Sequence, residues 1–253
     1  MTPFEGGQVA ERPGATGNDT LLLRVRGIDV EFGGVKALED VSVDVFAGHI
    51  HGLIGPNGAG KTTLMDVISG FLRPARGTVE LGDTRVERRS VHRRARHGLG
   101  RTFQSLELFD DLTVRDNLSV GLVSGSKPSD EDVAQAAELL GIEHELDRLV
   151  VELPHGRRRL ASVARAIVGR PTVLLLDEPA AGLESRETAE LGEVLRSLVT
   201  PTTAVVLVEH DMQLVMDVCD RVSVLQLGKV IAHGTPAEIR NDPLVRAAYL
   251  GES

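Results

Sequence analysis

Nine consecutive residues, Gly55-Pro56-Asn57-Gly58-Ala59-Gly60-Lys61-Thr62-Thr63, constrain this chain more than any other stretch. They fit G-x-x-x-x-G-K-[ST], the pattern of a phosphate-binding loop. Glycines let backbone N–H groups converge on phosphate oxygens, because no Cβ blocks the approach. A helix leaving the loop aims its positive end at the same anion. Lys61 can then reach β- and γ-phosphates, and the Thr62 hydroxyl can hold Mg²⁺. The neighbourhood agrees: residues 49–54 read as a short strand entering the loop, residues 63–68 as a helix leaving it, and Gly70 lies near that helix's end. A Gly/Pro-rich turn that meets the pattern by chance is the competing reading, and it does not account for strand and helix on either side.

A chain of 253 residues is long enough for one large domain, or one domain with a subdomain, around a sizeable core. The net charge of −9 argues against a general nucleic-acid binder. The single cysteine, Cys219, excludes an intrachain disulfide and fits a reducing compartment. Set beside Val215 and Val218, it reads as a small buried residue. The sequence has neither an apolar run of membrane-spanning length nor a signal peptide, so a membrane link is expected to run through a partner.

Residues 1–19 are rich in Gly, Pro, Thr and Glu and are expected to form a disordered tail. Alternating apolar residues then predict half-buried, antiparallel strands over 21–25, 28–32 and 41–46, and a further hairpin piece at 78–81 before Gly82-Asp83. Seven arginines between Arg85 and Arg101 read as a solvated helix face; a surface for anionic headgroups or an acidic partner is the alternative. From about 110 to 150 the pattern is helical. Ser129 and Asp132 resemble a capping box ahead of the stripe Val133, Ala136, Ala137 and Leu140, and Gly141 ends it. Residues 157–169, 184–199 and 212–219 predict helices that alternate with buried strands at 172–176 and 203–208. Residues 221–233 read as two strands around Gly228-Lys229, and 236–241 and 244–250 as short terminal helices. Strands alternating with helices after a phosphate loop imply an α/β fold with a mostly parallel core sheet.

The run Val173-Leu174-Leu175-Leu176 ends in two carboxylates. Asp177, at the strand end, is expected near the Mg²⁺ held by Thr62, through water. Glu178 follows directly, so its side chain points the other way and suits a general base toward an attacking water. Taken alone, the pair would be an ordinary solvated strand end; a phosphate loop on the same sheet changes that. Gln104, after Phe103, can bind Mg²⁺ or the attacking water and release both when its loop moves. His210 follows the strand that runs to Glu209 and is assigned a γ-phosphate or water contact, against the usual structural role of a lone histidine.

These pieces, in this order, resemble the ATPase subunit of an ABC transporter over about residues 21–251. Leu153-Pro154-His155-Gly156-Arg157, with Arg159 and Ala164-Arg165-Ala166, stands where that family has its Leu-Ser-Gly-Gly-Gln signature. The resemblance implies a P-loop NTPase domain over 20–252, with an antiparallel β subdomain and a helical subdomain at about 105–165. It implies ATP and Mg²⁺ as ligands, and a head-to-tail dimer in which Gly156 faces the ATP of a second ATPase subunit. Phe32 matches the aromatic that stacks on adenine, Gln104 the lid-loop glutamine and His210 the switch histidine. Ala181-Gly182-Leu183-Glu184 matches the dimer-communication loop, with Glu184 where the family usually has Asp. The implied partners are transmembrane permease subunits and, through them, an extracytoplasmic substrate-binding protein; the implied place is the cytoplasmic face of the membrane. Phe32-Gly33-Gly34-Val35-Lys36-Ala37-Leu38, Arg101-Thr102-Phe103-Gln104, Leu108-Phe109-Asp110-Asp111-Leu112-Thr113-Val114, Asp177-Glu178-Pro179-Ala180-Ala181-Gly182-Leu183 and Ala248-Tyr249-Leu250-Gly251-Glu252 resemble the ATPases of branched-chain amino acid importers. Urea, short-amide and aromatic-acid importers use similar subunits. Lipopolysaccharide-export ATPases share the tail. A soluble ABC-type ATPase and a low-turnover regulator are the readings outside transport.

One departure matters. Pro154 replaces the signature serine and offers neither hydroxyl nor N–H. A lost hydrogen bond to a charged group costs about 1.5–3 kcal/mol, roughly tenfold to a hundredfold in rate if it forms only in the transition state. Arg157, in place of Gln, is expected to compensate in part through its charge. A homodimer would carry the defect twice, a heterodimer once, so the heterodimer is the preferred expectation.

Overall fold

The computed structural model describes residues 20–120 and 127–250. The expected tail at 1–19 lies outside the described residues, as do residues 251–253.

The chain opens with a hairpin of β1 (Leu21–Phe32) and β2 (Val35–Phe46). β1 is one strand where two were expected. Its pairing slips between Val25↔Val43 and Ile28↔Val41, which places one extra residue at Arg26-Gly27. A one-residue bulge moves the apolar phase from odd to even positions without ending the strand, and the sequence shows that same phase change. β3 (Ile50–Ile54) enters the phosphate loop and α1 (Lys61–Ser69) leaves it. β4 (Arg76–Leu81) and β5 (Thr84–Arg85) make the second hairpin, followed by α2 (Val91–Ala95) and β6 (Leu99–Arg101). Three helices come next: α3 (Val114–Ser119), α4 (Asp130–Leu139) and α5 (His155–Ile167). The Ser129–Asp132 capping box starts α4, and both α3 and α4 pack against α5. The remainder alternates: β7 (Val173–Asp177), α6 (Ser185–Leu198), β8 (Ala204–Val208), α7 (Met212–Val218), β9 (Arg221–Gln226), β10 (Lys229–Gly234), α8 (Pro236–Asn241) and α9 (Pro243–Leu250).

Two sheets result. Four antiparallel strands lie in the order β2-β1-β4-β5, and six in the order β10-β9-β3-β8-β7-β6, parallel except for β10. Every residue of β3, β7 and β8 is buried. Both faces of this sheet are covered, so its strands read as continuous apolar runs. Alternate side chains go to different cores. Ile50, Ile54, Leu174, Leu176, Val205 and Leu207 meet the helices α3 to α7. Leu53, Leu175, Val206 and Val208 meet α1 and the four-stranded sheet. Each buried leucine contributes about 1.5–3 kcal/mol. The parallel strands therefore end rigidly, and their carboxyl ends set the positions of the loops that follow.

The arginine run departs from a solvated face at two positions. Arg94 is 1% exposed, and its Nη1 donates to Val67 O at 2.5 Å and Ile68 O at 2.7 Å. The last turn of α1 has no basic residue of its own, so Arg94 caps those carbonyls from another segment. Arg101 also turns inward, onto Asp66 and Ser69 of the same helix. Among the described residues no helix is long and apolar enough to cross a membrane. Cys219 is buried as expected, and burial pushes its thiol up to about 12.

Candidate functional site: a phosphate loop facing Gln104, Glu178 and His210

The loop between β3 and α1 leaves no room for a Cβ at two places. Gly55 has φ 147°, and a Cβ there would lie 2.0 Å from Leu225 O. Gly60 has φ 107°, and a Cβ there would lie 2.9 Å from Ala37 O. The β9–β10 turn clasps the loop from outside: Gly228 N–H donates to Ala59 O at 3.0 Å, and Gly228 O accepts from Glu39 N–H at 2.8 Å. Lys61 and Thr62 belong to the first turn of α1, which begins two residues earlier than the sequence pattern indicates. Lys61 is 7% exposed, and its ammonium donates to Gly55 O at 2.5 Å and Pro56 O at 3.0 Å, curled over the loop.

Residues 57–63 form one wall of a cleft of about 470 Å³. Gln104, Glu178 and His210 line it from three other segments. His210 Nε2 stands 2.9 Å from Glu178 Oε1, and Gln104 Nε2 donates to Glu178 Oε2 at 3.2 Å. Three residues chosen separately from the sequence thus meet at one carboxylate. Glu178 reaches this place through a left-handed backbone, φ 49°, which costs about 1–3 kcal/mol in a non-glycine residue.

Asp177 faces a neighbouring opening, of about 490 Å³, together with Thr62 and Gln104. The two adjacent carboxylates therefore part where β7 ends at Asp177 and the left-handed turn at Glu178 carries the second one into the other cleft. Asp177 is 3% exposed, and burial raises its carboxyl above the ordinary range, while Arg101, with Nη2 at 3.8 Å, opposes that rise. Thr62, Gln104 and Asp177 offer hydroxyl, amide and carboxylate oxygens, a hard donor set that fits Mg²⁺.

Phe32 is not among the residues that line the cleft; it ends β1 with 54% exposure, and its cross-strand partner Val35 lines the cleft instead. At the signature position α5 begins at His155, with Pro154 as N-cap and no side-chain cap bond. Gly156 is buried, and a Cβ there would lie 3.0 Å from Glu187 Oε1 and 3.1 Å from Leu183 Cδ2. His155 packs on the 181–184 loop, where a Cβ at Gly182 would come within 2.8 Å of its ring. Arg157 does not extend from the signature: its Nε donates to Glu145 Oε1 at 3.0 Å and its Nη2 to Gly141 O at 2.8 Å. Its charge is paired within this chain, with Glu145.

Five residues take roles that the sequence reading did not assign. Arg101 joins the phosphate-loop helix to the Asp177 strand, donating to Asp66 Oδ1 at 2.7 Å while its guanidinium lies 4.8 Å from the Phe103 ring. Arg159, 5% exposed, donates from Nη1 to Gln104 O at 3.1 Å. Ser162 and Arg165 add bonds to Leu106 O, so α5 holds the Gln104 loop by its carbonyls. Glu209, 4% exposed, accepts from the backbone of Ala180 and His210, and burial lifts its carboxyl. Arg101 and Arg159 sit among other arginines and carry no mark of burial. Glu209 does carry one: it directly follows an apolar strand, as Glu178 does.

The family model described as ABC transporter matches residues 38–181, and that described as branched-chain amino acid ATP-binding cassette transporter matches residues 229–253. The Escherichia coli K12 protein named high-affinity branched-chain amino acid transport ATP-binding protein LivG is 41% identical over 92% of this chain and 98% of its own. The corresponding BraF protein of Pseudomonas aeruginosa is 36% identical, and the E. coli lipopolysaccharide export system ATP-binding protein LptB is 34% identical over 91% of this chain. The crystal structure of the ADP conformation of MJ1267, an ATP-binding cassette of an ABC transporter, superposes with a TM-score of 0.83 at 29% identity, covering 91% of this chain and 99% of that one. Sequence, fold and cleft agree: the chain is an ATPase and belongs to the ATP-binding subunits of ABC transporters.

Proposed function

We propose that this chain powers import of branched-chain amino acids, or of a related small polar solute, by hydrolysing ATP beside membrane permease subunits. The observation that carries the hydrolytic half is the meeting of Gln104 and His210 on Glu178, across the cleft from residues 57–63. The branched-chain half rests on the match at 229–253 and on LivG and BraF, which exceed LptB in identity.

In this reading residues 20–252 are one ATPase domain, with residues at about 105–165 as its helical arm. The backbone of 57–60 and the α1 N-terminus take the phosphates, Lys61 exchanges its loop carbonyls for β- and γ-oxygens, and Phe32 stacks on adenine. Thr62, Gln104 and Asp177 would hold Mg²⁺, which supplies charge neutralisation at the phosphates. Glu178 accepts a proton from the attacking water, and His210 holds its carboxylate and meets the γ-phosphate. Gly156 and the α5 N-terminus face the nucleotide of a second ATPase subunit, a different chain with an intact signature. An extracytoplasmic binding protein delivers the solute, and the ATPase pair works at the cytoplasmic face.

The test is reconstitution of the native membrane complex in vesicles. ATP-dependent uptake of labelled leucine, isoleucine or valine is expected, and Glu178→Gln is expected to lower hydrolysis by about 10²–10⁴-fold while ATP still binds. Hydrolysis unchanged by Glu178→Gln would remove the assigned base. Hydrolysis with no uptake of any of the three would remove the solute assignment alone.

A further inference from the structure

Glu209 has no part in the reading above, yet it occupies the junction on which that reading depends. It follows β8 directly, as Glu178 follows β7. One oxygen, Oε1, accepts the Ala180 N–H at 2.8 Å; the other, Oε2, accepts the His210 N–H at 3.1 Å. A single buried carboxylate thus ties the backbone just beyond Glu178 to the backbone of His210.

The turn at Glu178 needs such a tie. Its left-handed φ of 49° persists only where the surroundings over-determine it. Its own N–H is taken by Val208 O at 2.9 Å. Pro179 has no N–H to anchor. Ala180 is therefore the first amide past Glu178 that can fasten the turn, and Glu209 is what fastens it. Between the two anchored strands lies the 2.9 Å contact of Glu178 with His210. On the far side Arg159, which holds Gln104 O, bears its charge on Glu209, Glu178 and Asp177 together.

We propose that Glu209 is a positioning residue for ATP hydrolysis: it fixes the Glu178 carboxylate and the His210 imidazole relative to each other without touching nucleotide. The proposal rests on the reading of Glu178 as the base. The plain alternative is a carboxylate that only satisfies amides in a buried turn, and its loss would then lower stability and nothing else.

The experiment uses the full chain in its membrane complex. Glu209→Gln keeps the shape and one acceptor oxygen; Glu209→Ala keeps neither. A small misplacement of catalytic groups costs about 10²-fold in rate. The expected result is a fall in kcat of about that size for Glu209→Ala and a smaller fall for Glu209→Gln, with KM for ATP and the affinity for a fluorescent ATP analogue unchanged. Amide exchange at Ala180 should quicken in both variants. In a Glu178→Gln background, Glu209→Ala should cost no further rate, because the base it positions is gone. Wild-type kcat in Glu209→Gln and Glu209→Ala, with only the melting temperature lowered, would overturn the proposal. So would a fall in rate matched by loss of ATP affinity. If Glu209→Ala fails to fold, Glu209→Gln alone decides. Inactive Glu178→Gln beside active Glu209 variants sinks this inference and leaves the base; active Glu178→Gln sinks the base itself.

Discussion

The loop at 55–63 and the turn at 153–156 both lead into a helix N-terminus, that of α1 and that of α5, yet they are furnished differently. The first has glycines where a Cβ would strike neighbouring backbone, an ammonium in the first helical turn and a hydroxyl beside it. The second has Pro154 at the N-cap, without a side-chain cap bond, and Arg157 turned back to Glu145. Both present the positive end of a helix, but only the first adds side chains that grip an anion. In the proposed dimer, that difference would divide the work: this chain would bring its own cleft and would offer a partner's nucleotide little beyond Gly156 and the α5 amides.

Breaking the complete side should produce the largest effect. Lys61→Ala removes the ammonium of a residue that the fold keeps 7% exposed at the loop. Preorganised groups of this kind are worth about 10²–10³-fold in turnover. ATP affinity should fall with it, as measured by equilibrium binding. Undiminished affinity and turnover in Lys61→Ala would mean that the loop does not hold the nucleotide's phosphates, and the comparison would lose its stronger member.

Repairing the weak side comes next. Pro154→Ser restores a hydroxyl and an N–H at the start of α5. Hydrolysis by the assembled complex should rise, by about tenfold to a hundredfold if the missing bond forms only in the transition state. A rate that is unchanged or lower would show that residue 154 does not limit the composite site.

What the sequence made legible divides along the same physical line. The phosphate loop, the buried strands and the pair Asp177-Glu178 are local: their residue types are needed by their immediate neighbours, so spacing reveals them. The meeting of Gln104, Glu178 and His210 could be anticipated because each follows or faces the end of a parallel strand, and such ends converge. Arg94 and Arg101 were hidden because their partners, the Val67 and Ile68 carbonyls and the Asp66 carboxylate, lie on a helix far away in sequence. A charged residue records its own polarity and not who will pair with it. The β1 bulge was visible as a phase change but open to two readings, since a break and a bulge shift alternation alike. Arg157 shows the same limit. Its place in the signature suggested a role at phosphate, while its side chain is claimed by the end of α4.

The smallest effect belongs to that arginine, and it sharpens the comparison most finely. Residue 157 is glutamine in the family signature, so Arg157→Gln looks like a second repair beside Pro154→Ser. The structure predicts otherwise. Arg157 bonds Glu145, whose side chain is only 13% exposed and whose Oε2 is buried without a partner among the described residues. Removing the guanidinium leaves that carboxylate poorly paired, at a cost of about 1 kcal/mol, or about 2–4 °C in melting temperature for a chain of this size. Because the group is bonded to Glu145 and Gly141 of its own chain, hydrolysis should stay within about twofold of wild type. Thermal melting and ATPase rate, measured on the same preparation, separate the two possibilities. A melting temperature that holds while the rate climbs as in Pro154→Ser would place the residue 157 side chain at the partner's nucleotide. A lower melting temperature with an unchanged rate assigns Arg157 to the contact with Glu145 and Gly141 and leaves Pro154 and His155 as the points where this surface departs from a full signature.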